Sequence, residues 1–212
     1  MTDFATFSAL PELMSVPAVW RFAGQLDQRL SEARTLMHLP IDGENSLLHE
    51  PLYNALCEAL LSIAAGLSTC LMDVTEESVR GEAGGAKARF LKFFTRFYPW
   101  RQVDYPAVEG ASLMWEHFRN PLVHNLGFLK GRAPGPIQIL KHSRSREQIV
   151  DLHVSAMHLR EPTMLNDPSL SRDGSYIALR THMLYWGVVY AARRLANEEA
   201  LLLQAERVYQ QL

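Results

Sequence analysis

An arginine, an asparagine and a histidine stand close together in the segment Trp115-Glu116-His117-Phe118-Arg119-Asn120-Pro121-Leu122-Val123-His124-Asn125-Leu126-Gly127. Arginine keeps its charge at any working pH, and its planar fork grips phosphate. Histidine titrates near neutrality and can give or take a proton. The pair is a workable minimum for metal-free cleavage of a phosphodiester: His124 moves the proton, Arg119 stabilises charge on the phosphate, and Asn120 offers a hydrogen bond to phosphate or sugar. The same residues also have a structural reading. Asn120 caps a turn, Arg119 pairs with Glu116 one turn back, and His124 sits at the rim of the core.

Pro121 decides how these residues are presented. It cannot continue a helix from behind and disfavours the α region for Asn120. The sequence therefore predicts a helix ending at Arg119, a new short turn beginning at Pro121, and Gly127 closing it. Such a break lets Arg119 and His124 face one cleft from either side. In an unbroken helix they would diverge by about 140°.

The elements that position the segment read as mainly α. Helices are expected over 18–37 (Trp20, Leu26, Leu30 and Met37 inward; Arg21, Asp27 and Arg34 outward), 52–72, 80–98 and 107–119. The second has a wide apolar surface and belongs at the centre. The third carries Phe90, Leu91, Phe94 and Phe97 and stops at Pro99; the fourth presents Leu113, Met114, Trp115 and Phe118. Beyond Gly131, Pro134, Gly135 and Pro136 the pattern changes to alternation. Residues 137–141 and 149–154 flank the polar turn 143–146, which predicts a β-hairpin at 136–154. A loop over 162–174 and a long final helix over 175–211 complete one domain, 1–212.

Arg119-Asn120-x-x-x-His124, following an amphipathic helix and preceding Gly127, resembles the Arg-polar-x-x-x-His signature of the HEPN superfamily. Long helices before the motif, a hairpin soon after it and a long terminal helix match that plan. The resemblance implies a HEPN-like helical bundle with a small β-hairpin insertion after the motif, often a homodimer with both motifs facing one cleft. It implies a metal-independent endoribonuclease in a toxin, antiviral-defence or RNA-processing role, with Arg119 and His124 catalytic and Asn120 in the polar position. Some toxin members carry a tyrosine two residues after the histidine, the target of an antitoxin nucleotidyltransferase; here that position is Leu126. Other members are inactive nucleotide-binding or scaffold domains, so a non-catalytic module is the alternative expectation. A third is a structural helical protein whose motif is only a kink.

Charge and composition narrow the classes further. A formal net charge of −2 over 212 residues excludes general coating of nucleic acid by bulk charge, so RNA contact needs a local patch. One candidate spans 80–101 (Arg80, Lys87, Arg89, Lys92, Arg96 and Arg101 against Glu82). The other, 130–146, holds Lys130, Arg132, Lys141, His142, Arg144 and Arg146 with no acid. With Glu116, which can orient Arg119 or pair with it, the second set forms the candidate RNA-binding residues. Both runs also read as solvated surface, the second as a charged hairpin tip that resists edge pairing.

The apolar stretch 59–72 is shorter than the roughly 20 residues a bilayer requires. No secretory pattern opens the chain, whose first basic residue is Arg21, so a cytoplasmic protein off the membrane is expected. Cys57 and Cys70 fall on one helix roughly 20 Å apart and are expected to be free, buried thiols. No CxxC, HExxH, Walker loop, GxGxxG or GxSxG occurs, and neither a metal nor a cofactor is expected. The tryptophans fall in helical stripes and read as core or dimer contacts.

Overall fold

A computed structural model describes residues 21–38, 49–71, 84–100, 105–120, 137–140, 170–173 and 176–211. Within these, the chain is mainly helical. Helix α1 is Arg21–His38, α2 His49–Leu71, α3 Gly84–Phe97, and α4 Ala107–Leu113. The last continues without interruption as a π-helical segment, Met114–Arg119. Strands β1 (Ile137–Leu140), β2 (Leu170–Asp173) and β3 (Tyr176–Arg180) follow, then α5 (Thr181–Asn197) and α6 (Glu199–Tyr209).

Helix α2 is the hub, as its wide apolar surface predicts. Leu56, Cys57, Leu60, Leu61, Ile63, Ala64, Leu67, Cys70 and Leu71 are all buried. They point round most of the helix, so one neighbour cannot cover them. Helices α1, α3, α5, α6 and the π segment all pack against α2. Pro51 is tolerated because it lies in the first turn, where its missing N–H has no helical partner to lose. Among the described residues, no helix is long and apolar enough to cross a membrane. Cys57 and Cys70 are free and buried. Burial raises both thiols out of their reactive range, Cys70 to about 11 with Glu206 adding to the effect.

The ends of two helices meet side chains of α6. Glu206, buried, accepts the Phe22 N–H in the first turn of α1 at 2.8 Å, while Gln210 donates to its other oxygen at 2.9 Å. A carboxylate there satisfies an orphan donor and complements the positive end of α1. Gln204 Nε2 donates to the Leu71 carbonyl at the C-terminus of α2 at 2.9 Å.

Several boundaries differ from the sequence expectation. Residues 176–180 are a strand instead of the start of the final helix, and 170–173 are a strand instead of loop. The sheet order is β1-β3-β2. β2 and β3 pair antiparallel with Leu170 opposite Leu179, separated in sequence only by Gly174-Ser175. β1 pairs parallel with β3, Ile137 opposite Ile177. Of the expected hairpin 136–154, the first strand is present, and its partner among the described residues is β3; 149–154 lie outside them. The expected helix 175–211 is broken at Glu198, whose extended backbone (φ −108°, ψ 92°) separates α5 from α6. Asp27 and Arg34, expected on the outer face of α1, are partly buried.

These last two residues share a seam with α5. Burial raises the Tyr185 hydroxyl to about 12, with Arg34 and Arg193 opposing the rise and Asp27 adding to it. Asp27 Oδ1 is buried without a hydrogen-bond partner, and desolvation raises its carboxyl above the ordinary range. A carboxyl that binds its proton more tightly folded than unfolded destabilises the fold at neutral pH. That cost is relieved as pH falls through the folded-state value towards 3.8. Asp27→Asn should therefore be more stable than wild type in urea at pH 7, the difference shrinking towards pH 4; a less stable variant at pH 7 would contradict the assignment.

Gly187 on α5 lies under the Tyr98 ring, whose hydroxyl donates to the Met183 carbonyl at 3.3 Å. A methyl at Gly187 would overlap that ring, whereas one at Gly24 on α1 meets nothing within 4 Å. Gly187→Ala is expected to cost about 1–3 kcal/mol. Gly24→Ala should be neutral or stabilise by up to about 1 kcal/mol, both read by chemical denaturation.

Candidate functional site

The sequence segment singled out for chemistry starts on α4 and its π extension, and α3 decides where these sit. Phe90, Phe93, Phe94 and Phe97 of α3 are fully or nearly fully buried. Their rings form a ladder: Phe90–Phe94 at 4.6 Å, Phe93–Phe94 edge-on at 5.5 Å, Phe93–Phe97 stacked at 5.9 Å. Phe93, outside the stripe that the sequence predicts, is also fully buried, so the apolar face of α3 is wider than that stripe. At the end of α3 the chain turns over Pro99, and Trp100 folds back, its Nε1 donating to the Phe94 carbonyl at 2.8 Å. The indole lies close enough to Gly110 that no side chain fits there. Helix α4 is thereby clamped beside α3.

The turn that follows widens. The Met114 N–H bonds the carbonyls of Gly110 and Ala111, in α and tighter register, whereas the Asn120 N–H reaches back five residues to Trp115. The segment ends at Arg119, as expected, but the expectation that Asn120 leaves the α region is corrected: as the cap residue it keeps helical backbone, with φ −68° and ψ −46°. A proline next in the chain has no N–H for the His117 carbonyl and opposes a tight turn behind it. Wide turns of this kind occur often at functional positions.

Widening sorts the side chains into three rows. Met114 and Phe118 are buried, Trp115 and Arg119 lie half-buried on the flank, and Glu116 and Asn120 are exposed. Trp115 meets Phe90 edge-on at 5.2 Å, and the Arg119 guanidinium lies over its indole, Cζ 4.7 Å from the ring centroid. Desolvation lowers the Arg119 pKa from its ordinary value of 12.5, which leaves it charged at any working pH. A partly desolvated cation attracts an anion more strongly than a solvated one. Glu116 takes a different partner from the one expected: Lys87 Nζ of α3 sits 3.1 Å from its Oε1. Nothing in the sequence marked this pair, since the two residues are 29 apart.

Of the predicted site, the structure thus places Arg119, Asn120 and Glu116 on one short stretch of helix. His124, Lys130, Arg132, Lys141, His142, Arg144 and Arg146 lie outside the described residues. In the first basic run, Lys87 is ion-paired and Arg96 lies over Phe97, its Cζ 5.3 Å from the centroid. Arg194 of α5 covers the same ring at 5.2 Å and donates to the Arg96 carbonyl. That end of the run is thus committed to joining α3 to α5. Among the described residues, no group of three His, Cys, Asp or Glu side chains could hold a metal ion.

Compared with protein-family models, curated proteins and solved structures, the chain matches none.

The three rows have separable energetic roles. Phe118→Ala should cost about 3–5 kcal/mol because it leaves a cavity in the core. Arg119→Ala removes side-chain contacts at a half-buried position, the stack on Trp115 among them, and should cost less, about 1 kcal/mol. Urea denaturation of the two variants checks this; a cost for Arg119→Ala comparable to that of Phe118→Ala would make the arginine a structural element of the core.

Proposed function

We propose that this protein is a metal-independent endoribonuclease of HEPN type, acting through Arg119, Asn120 and His124. The observation that carries the reading is the setting of Arg119: a charged, partly desolvated guanidinium held over Trp115 at the end of a widened turn, with exposed Asn120 beside it. That is the environment in which an arginine binds phosphate well, and His124 follows four residues after Asn120 in sequence.

In this reading His124 takes the proton from a ribose 2′-hydroxyl, or supplies one to the leaving oxygen. The 2′-oxygen attacks phosphorus as the bond to the 5′-oxygen breaks, and the 5′-oxygen leaves with a proton. Products are a 2′,3′-cyclic phosphate and a 5′-hydroxyl. Arg119 stabilises charge gathering on the non-bridging oxygens, and Asn120 positions the phosphate. Lys130, Arg132, Lys141, His142, Arg144 and Arg146 would hold flanking phosphates through charge. A homodimer presenting two such sites, in a toxin, defence or RNA-processing role with or without an antitoxin partner, belongs to the same proposal.

The stack on Trp115 favours a second reading. A guanidinium anchored on an indole also suits a non-catalytic site for a nucleotide or a partner protein.

Incubating labelled structured RNA with the protein in EDTA separates the two. Wild type is expected to cleave and leave cyclic-phosphate ends, while Arg119→Ala and His124→Ala lose at least about 100-fold in rate with unchanged folding. Absence of cleavage, or equal cleavage by all three proteins, would remove the ribonuclease reading and leave the binding module.

A further inference from the structure

Helix α3 carries Lys87, Arg89, Lys92 and Arg96, and α5 carries Arg193 and Arg194; neither helix contains an Asp or Glu. Lys87 belongs to the flank of α3 that meets Glu116. Arg89, Lys92 and Arg96 fall on the other flank, since residues three, four and seven apart share one side of a helix. The row from Arg89 to Arg96 is about 10 Å long, more than one nucleotide step of a strand.

At the far end of this row two cations converge. The Arg96 guanidinium lies over Phe97 with Cζ 5.3 Å from the ring centroid, and that of Arg194 lies over the same ring at 5.2 Å. Like charges so placed repel. Glu198 offsets only Arg194, accepting from its Nε at 2.9 Å. Arg96 is exposed, and among the described residues its side chain makes no ion pair or hydrogen bond. The junction with α5 uses its flat face and its main-chain carbonyl. Arg89 likewise makes no ion pair among the described residues, and its Nε is buried without a hydrogen-bond partner. A place in the last turn, where cations complement the helix dipole, suits Arg96 and Arg194 singly. It accounts neither for their meeting on one ring nor for Arg89, in the first half of α3.

We propose that this flank, Arg89 and Arg96 with Arg194 beside them, is a track for the sugar–phosphate backbone of RNA, on the side of α3 away from Glu116. The proposal rests on the reading that RNA is the ligand. It supplies the local patch that a net charge of −2 requires. A guanidinium held through its face keeps its N–H edge for phosphate oxygens. Such contacts are blind to base sequence and weaken with salt.

Fluorescence anisotropy tests it with a labelled 2′-O-methyl oligouridylate of about 20 nucleotides, which lacks the attacking hydroxyl and stays intact. Arg89→Ala and Arg96→Ala should each weaken binding about three- to fivefold and reduce the slope of log K against log salt by about 0.7. Arg96→Lys, which keeps the charge, should recover most of that loss. Glu198→Gln, which removes the acid beside the two arginines, should tighten binding by about twofold. Arg89→Ala breaks no ion pair, so its effect is separate from any loosening of the α3–α5 junction. Unchanged affinity and slope in both alanine variants would overturn the proposal. So would a poly-glutamate peptide of equal length bound as tightly as the RNA, which would make the surface a dock for acidic protein. Cleavage of ordinary RNA in EDTA is followed in parallel. If wild type binds with the expected slope and the variants weaken it, yet RNA stays intact, the ribonuclease reading fails and the track stands. If RNA is cleaved while the variants bind like wild type, the track fails and the ribonuclease reading stands.

Discussion

Everything described in this fold answers to the burial of α2. A 23-residue helix with apolar side chains round most of its circumference cannot be half-covered. Each fully buried leucine or isoleucine is worth about 1.5–3 kcal/mol, and each left in water forfeits that amount. Covering it takes α1 and α3 from the first half of the chain and α5 and α6 from the last. The return of the C-terminal helices also settles the polar ends. Backbone groups at a helix terminus are costly when withdrawn from water without partners. Glu206 and Gln204, two residues apart on α6, serve the start of α1 and the end of α2. Helix α6 thus serves both termini, from different sides of its circumference, which fixes the three helices in register as well as in contact.

From α2 outward, position passes through aromatic rings. The phenylalanine ladder on α3 is rigid because each ring has few rotamers and several ring neighbours. Trp100 extends it onto α4 over Gly110, and Phe90 extends it onto Trp115. The candidate site is therefore carried by the core at one remove: Phe118 anchors the widened turn, Trp115 rides on the ladder, and Arg119 rides on Trp115. An arginine placed by such a chain of contacts loses less freedom on meeting an anion than one on a loop.

Periodicity made the helices legible because each needs one apolar stripe towards α2, and that stripe is written in residues three and four apart. It also marked Ile137–Leu140 as a strand. It failed where two periods overlap. Ile177, Leu184 and Leu195 read as one helical face, yet Ile177 and Leu179 are alternate buried positions of a strand. Gly174-Ser175 is the two-residue hairpin signal that separates the cases. The break at Glu198 has no Gly or Pro to announce it. The charges of Asp27 and Arg34 suggest an outward position, although their seven-residue spacing puts both on the stripe that meets α5. For the site, residue types and the proline marked the place but not the manner. The segment widens into a π turn, and the partner of Glu116 comes from a helix that no local pattern connects to it.

The setting of Arg119 reconciles two demands that look opposed. Holding a long cationic side chain still requires contacts, and contacts consume the groups that would bind substrate. A guanidinium escapes this because its surfaces are of two kinds. Stacking on an indole uses the flat face, whereas the five N–H donors all lie in the plane and point outward from the edge. A carboxylate such as Glu116 competes for the edge; Trp115 does not. Stacking on Trp115 therefore orients the guanidinium through its face, without using the N–H edge. Lysine could not replace the arginine on these terms, since a compact ammonium has no separate face and edge. The residue type at position 119 and the indole four residues before it thus work as one unit.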